Sequence, residues 1–184
     1  MDKHPVLNIL TLNHYAQLTN EKNHNPRLTL SSPATSVMTD LRNIKAVTIY
    51  NDHTISQAHN LMIARAIRLL FIFNHDEQFI GVITANDILG EKPIALHKRH
   101  TDILVSEIMQ EKTNLKALDY QSIETANIGS LIATMKKIGS QHVLVIKSNP
   151  DHKKDEVIGL ISTSQISNLV GLSLPSMNIS VTNV

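Results

Sequence analysis

Two stretches of this chain carry the same plan, and the spacing between them is nearly constant. Thr54, Ile55, Ala58, Leu61 and Met62 lead into Leu69–Phe73, a polar turn (Asn74–Gln78) and Phe79–Ile83, followed by Thr84-Ala85-Asn86-Asp87. Asn127, Ile128, Leu131, Ile132, Met135 and Ile138 lead into Val143–Ile146, a longer turn, Val157–Ile161 and Ser162-Thr163-Ser164-Gln165. Met62 and Met135 are 73 residues apart, as are Phe73 and Ile146, whereas Gly81 and Gly159 are 78 apart. The five extra residues fall in the second hairpin turn, around Asn149-Pro150-Asp151-His152-Lys153-Lys154, where an insertion costs little loop entropy. A repeat of this length with its changes confined to loops implies two similar units packed on each other.

Within each copy the period of the apolar residues switches from helical to extended. Thr54-x-x-Gln57 has the form of a capping box, and Asn127 takes the same place in the second copy. Gly139 supplies a helix C-cap that the first copy lacks. Ala46–Ile49 is a short β-prone run ending at the turn-forming Asn51-Asp52. Ser32-Pro33 reads as an N-cap and first helical residue, opening a short helix through Val37-Met38, with Ile108-Met109 as the counterpart. After Asp87 the helix is expected to fade by Gly90 or Pro93, leaving 91–105 as a connector. The expected organisation is an N-terminal extension (1–31), a first unit (32–95), a connector with the second unit (96–172) and a C-terminal tail (173–184). The extension holds an apolar patch at Val6–Leu12, open between helix and strand, and a polar tract at Thr19–Arg27.

Composition narrows the function classes. Seventeen Lys and Arg against 16 Asp and Glu leave a net charge of +1, and aromatics are 3%, so neither a basic field nor a stacking platform points to nucleic acid. With no cysteine there is no disulfide, thiolate metal site or cysteine nucleophile. The N-terminus fits no signal peptide and no apolar run approaches a membrane span, so the expected setting is the cytoplasm, without membrane contact. Ten histidines raise the question of a metal, but His97 and His100 lack a third ligand at suitable spacing, and no metal site is expected. His97-Lys98-Arg99-His100 reads as a solvated basic cluster. No P-loop, G-x-S-x-G, H-E-x-x-H or G-x-G-x-x-G is present and no nucleophile stands beside a base, so no catalytic residue is assigned.

The ordered set Val37-Met38, the helix from Thr54, Arg68-Leu69-Leu70-Phe71-Ile72 and Gly81-Val82-Ile83-Thr84-Ala85-Asn86-Asp87, occurring twice, resembles a tandem pair of CBS domains over about residues 32–172. The resemblance implies an α/β fold of two β-α-β-β-α units about a pseudo-twofold axis, with a cleft on either side. It also implies a regulatory module that binds AMP, ADP, ATP or S-adenosylmethionine and passes the binding on to a partner; no further cofactor is expected, and an apolar face left by each unit's helices points to output through a homodimer, with a protein partner in trans as the other route. A ligand-free structural or dimerisation module with degenerate clefts is the alternative. The candidate ligand residues follow from that frame. Thr84 would face a phosphate and Asp87 would accept from ribose hydroxyls, although the pair is equally a capping-box variant needing no ligand. Ser162 keeps a hydroxyl in the second copy, but Gln165 replaces the acid by a neutral amide, so the cleft of Thr84 and Asp87 is the stronger candidate. Arg68 reads as a surface residue or a phosphate ligand, and Ala46, Val47 and Thr48 as core strand or as contacts to an adenine ring. His142 reads as a sheet-edge residue.

Overall fold

The computed structural model describes residues 28–148 and 155–171. The patch Val6–Leu12, the tract Thr19–Arg27, the turn Asn149–Lys154 and the C-terminal tail lie outside them. In the first repeat β2 (Thr48–Tyr50), α1 (Ile55–Ala64), β3 (Leu69–Phe73), β4 (Phe79–Thr84) and α2 (Ala85–Leu89) form the β-α-β-β-α unit. In the second, β6 (Ala117–Asp119), α6 (Ile128–Ile138), β7 (His142–Lys147), β8 (Glu156–Ser162) and α7 (Thr163–Val170) repeat it, with a short α5 (Tyr120–Thr125) inserted before α6. Two-residue strands open each repeat, β1 (Thr39–Asp40) and β5 (Gln110–Glu111), and two short helices, α3 (Glu91–Ala95) and α4 (Val105–Ile108), lie between the repeats.

The helix starts follow the local chemistry of the sequence. Thr54 and Gln57 cap each other reciprocally, with Thr54 N donating to Gln57 Oε1 at 2.8 Å and Gln57 N to Thr54 Oγ1 at 3.3 Å. Asn127 Oδ1 accepts from Ser130 N at 2.8 Å, and Gly139 closes α6 in the left-handed conformation at φ 70°. The apolar stripes face inward: Ile55, Ala58 and Met62 on α1, and Ile128, Leu131, Ile132 and Met135 on α6, are buried against their own sheets. Each fully buried aliphatic side chain of this kind is worth about 1.5–3 kcal/mol.

The leading segments do not stay with their own repeats. The sheet orders are β2-β3-β4-β5 and β1-β8-β7-β6, so each repeat's opening strand completes the other repeat's sheet. Strand β1 runs antiparallel to β8, with Asp40 opposite Gly159, and β5 runs antiparallel to β4, with Glu111 opposite Gly81. The residues before each strand follow: Ala34 and Val37 pack in the second repeat's core, and Ile103, Val105 and Ile108 in the first's. A third apolar layer of Leu69, Phe71, Val82 and Leu144, edged by Leu41, Leu115, Phe79 and Leu160, joins the two sheets across the pseudo-twofold axis.

Two local expectations change for reasons tied to this exchange. The helix expected from Ser32-Pro33 is a single 3-10 turn, Ala34–Val37, and Ser32 does not cap it. Main chain on both sides is committed elsewhere: Ala34 N donates to Ala126 O at 3.0 Å and Ile128 N to Ser32 O at 2.9 Å. The expected connector from residue 91 begins instead with α3, in which Pro93 is the third helical residue, a place where the missing N–H removes no intrahelical bond.

Both glycines of the repeat lie under the exchanged segments, Gly81 beneath strand backbone and Gly159 beneath a side chain. A Cβ on Gly81 would collide with the backbone carbonyl of Gln110, and one on Gly159 would come within 2.5 Å of Met38 Sδ. A thioether can swing aside; a paired strand backbone cannot. Gly81→Ala is therefore expected to lower unfolding stability by about 1–3 kcal/mol, and Gly159→Ala by clearly less. Urea midpoints of the two variants decide the matter, and equal losses would contradict this account of the strand crossing.

Candidate functional site

Two clefts lie between the repeats, and each joins the helix start of one repeat to the segment before a strand in the other. The first, about 370 Å³, is walled by Thr84, Asn86 and Asp87 of the β4–α2 corner, by Gln110, and by Asn114–Lys116 and Gly139–His142 of the second repeat. Leu69, Val82, Leu115, Ile138 and Leu144 give it apolar faces. The second, about 680 Å³, is walled by Ser162 and Gln165 of the β8–α7 corner, by Thr39, and by Lys45–Val47 and Ala66–Leu69 of the first repeat. Both volumes fall in the range of small-molecule sites. The candidate residues are thus divided: Thr84 and Asp87 stand in the first cleft, and Ala46, Val47, Arg68, Ser162 and Gln165 in the second. Thr48 lines neither, standing on β2 beside a groove with Tyr50 and His53.

Asp87 is buried, 7% exposed, and heavily bonded. Its Oδ2 accepts from Thr84 N at 3.0 Å, Thr84 Oγ1 at 2.6 Å and Gln110 Nε2 at 2.9 Å, while among the described residues Oδ1 accepts only from Lys92 Nζ, at 2.8 Å. The Thr84 hydroxyl is engaged on both sides, since it also accepts from Asp87 N at 3.2 Å. Burial pushes the Asp87 carboxyl up, but the hydrogen bonds from Lys92 and Thr84 and the charge of Lys92 outweigh it and hold it below the usual carboxylate range. The Lys92 side chain is half exposed and rides on a flexible stem, so its hold on Oδ1 is the weakest part of the network.

The second cleft carries a neutral version of the same contact. Thr39 and Gln110 are equivalent, each one place after the methionine of its repeat, and each reaches the corner residue of the sheet it has joined. Where Gln110 donates to Asp87, Thr39 Oγ1 donates to Gln165 Oε1 at 2.8 Å. Gln165 N in turn donates to Ser162 Oγ at 3.2 Å, so the Ser hydroxyl caps α7 as the Thr hydroxyl caps α2.

Comparison with known proteins agrees with this architecture. Residues 34–93 match the CBS domain family. Among solved structures, an uncharacterized conserved protein from Pyrococcus horikoshii superposes with a TM-score of 0.57 at 19% identity, over 81% of this chain and 99% of that one. The CBS-domain containing protein ATU1752 from Agrobacterium tumefaciens gives 0.53 at 18% identity, over 68% and 84%. The CBS domain pair of protein MJ0100, in complex with 5′-methylthioadenosine and S-adenosyl-L-methionine, gives 0.51 at 21%, over 75% and 98%. The fold is that of CBS domain pairs, and its first repeat matches the CBS domain family. No curated protein matches the sequence.

Several residues that shape the clefts escape a linear reading. Gln110 and Lys116 reach the first cleft only through the crossing of β5, because the repeat spacing makes Lys116 the equivalent of Lys45 without saying that each faces the other repeat's helix corner. The basic cluster is partly neutralised, with Lys98 paired to Glu107 and Arg99 to Asp102. Among the described residues no three His, Cys, Asp or Glu side chains come together as a metal site, and no helix is long and apolar enough to cross a membrane.

His142, at the start of β7, lines both clefts of the pair. Burial is the main cause that pushes its ring down to about 4 from the ordinary 6.5; Arg68 adds to the shift and Asp87 opposes it. The folded protein thus refuses a proton that the unfolded chain takes up near 6.5. Stability should be flat above that pH, fall as pH drops from about 6.5 to about 4, and fall further at lower pH as Asp87 is protonated. Denaturant titrations across pH 4–8 should show the slope between 6.5 and 4 largely removed in His142→Gln; an unchanged slope in that variant would assign it elsewhere.

Proposed function

We propose that this CBS pair is a non-catalytic regulatory module that senses an adenosine-containing ligand in the cleft of Asp87. The observation that carries the reading is the Asp87 carboxylate itself, set in the wall of an inter-repeat cleft with apolar faces and one oxygen, Oδ1, bonded only to a displaceable lysine. A carboxylate offers about four lone-pair sites, so Oδ1 retains room for ribose hydroxyl donors while Oδ2 keeps capping α2. Leu115 and the sheet residues Leu69, Val82 and Leu144 supply surfaces for a purine ring, and Lys116, which has no carboxylate partner among the described residues, stands where a phosphate or carboxylate of the ligand would be balanced. The MJ0100 pair, which holds 5′-methylthioadenosine and S-adenosyl-L-methionine, supports the ligand class. AMP, ADP, ATP and S-adenosylmethionine are the ligands to test. The second reading, a ligand-free interaction module, is favoured by the closure of the Thr84–Asp87 bonds on their own helix start.

A thermal-shift series with those four ligands separates the two. At 100 times its Kd a ligand adds about 2.7 kcal/mol to stability. One of the four is expected to raise the melting temperature of the parent protein and to lose that effect in Asp87→Asn. No shift at millimolar concentration with any of them would leave the interaction module as the reading.

Output is assigned to self-association, with a protein partner in trans as the route beyond it. Ile63, Leu89 and Ile94 stand 66%, 59% and 70% exposed on α1, α2 and α3, an apolar surface on the first repeat's helices. Such surface suits a helix-to-helix homodimer. Light scattering should give twice the chain mass for the parent and the single-chain mass for the double variant Ile63→Asp, Leu89→Asp; a monomeric parent would remove the proposal.

A further inference from the structure

We infer that the larger cleft, at Arg68 and Gln165, is a second site of different selectivity, taking a small anion with an apolar body and making no demand for a ribose. The inference rests on the reading of the inter-repeat clefts as ligand sites, but not on which ligand the Asp87 cleft holds. Among the described residues no carboxylate lines this cleft, whereas two cations do, Lys45 and Arg68. Neither has a carboxylate within ion-pair distance among the described residues. Gln165 stands where the other cleft has its acid, and its Oε1 is occupied by Thr39, so a vicinal diol finds no charged acceptor there. Val47, Leu69 and Phe71 give the cleft an apolar floor. A guanidinium and an ammonium beside an apolar floor favour a phosphate or carboxylate attached to a ring or a short hydrocarbon chain. His142 adds no positive charge at neutral pH, which leaves recognition of the anion to the two cations.

Calorimetric titration with phenyl phosphate, an anion with an apolar body and no diol, tests the assignment, with adenosine, a diol without an anion, as the contrast. Phenyl phosphate should bind the parent protein and bind at least tenfold more weakly to Arg68→Gln, as expected for one lost charge-assisted hydrogen bond. Lys45→Gln, a second exposed position, should weaken binding in the same direction, and Asp87→Asn should leave it unchanged. Failure of phenyl phosphate to bind at millimolar concentration, or binding lost in Asp87→Asn and kept in Arg68→Gln, would overturn the inference. Phenyl phosphate binding that depends on Arg68, alongside no binding of adenosine, would uphold it while counting against the adenosine reading of the other cleft.

Discussion

Main-chain pairing between each sheet and the other repeat's opening strand is the constraint on which the rest of this structure depends. Each exchanged strand is only two residues long, yet its neighbours bury Ala34 and Val37 in one core and Ile103, Val105 and Ile108 in the other. Neither repeat is complete alone, because removing either leading segment would uncover apolar side chains and the edge of a sheet at once. Gly81 and Gly159 follow from the same fact: the backbone of the exchanged strand passes over Gly81, and the Met38 side chain just before the other exchanged strand lies over Gly159.

The crossing also places chemistry. Asp87 belongs to the first repeat by sequence, but the side chain that orients its Oδ2 from outside its own turn is Gln110, on the strand the second repeat contributes. Lys92 ties the same carboxylate to the Ile108 carbonyl at 3.0 Å, just before that strand. On the proposed reading, a ligand engaging Asp87 would compete with contacts that hold the repeats together, and its differential affinity for two arrangements of them would be the free energy available for signalling. The Thr39–Gln165 contact is the neutral counterpart, and it lacks a charge through which a ligand could exert the same leverage.

The elements of each repeat were legible because their signals are local. Thr54 with Gln57, Asn127 and Gly139 all act within one helix turn of themselves, and the buried stripes of α1 and α6 follow the helical period. The repeat spacing likewise made the equivalence of the two halves readable. What it did not contain was which half each opening segment joins, since periodicity is the same whether a strand pairs at home or across the axis. That one missing fact is why the sequence does not say that Ala46, Val47 and Arg68 line a different cleft from Thr84 and Asp87, or that Gln110 reaches Asp87. The Thr84–Asp87 capping box was legible too, but its neighbours across the axis were not.

The first repeat shows what the second avoids with a glycine. Ala66 adopts φ 52°, at the position where the second repeat has Gly139 at φ 70°. A left-handed conformation costs a residue with a Cβ about 1–2 kcal/mol. The turn persists because it closes α1 with bonds from Ala66 N to Ile63 O at 3.1 Å and from Ile67 N to Met62 O at 3.0 Å, and because Ile67 then packs against the core of that repeat. Satisfying otherwise orphaned carbonyls and burying part of an isoleucine offset a penalty of that size. The same turn sets the next residue, Arg68, at the wall of the larger cleft. The strain is thus held where the backbone reverses between helix and strand, and the residue it delivers is one of that cleft's two cations.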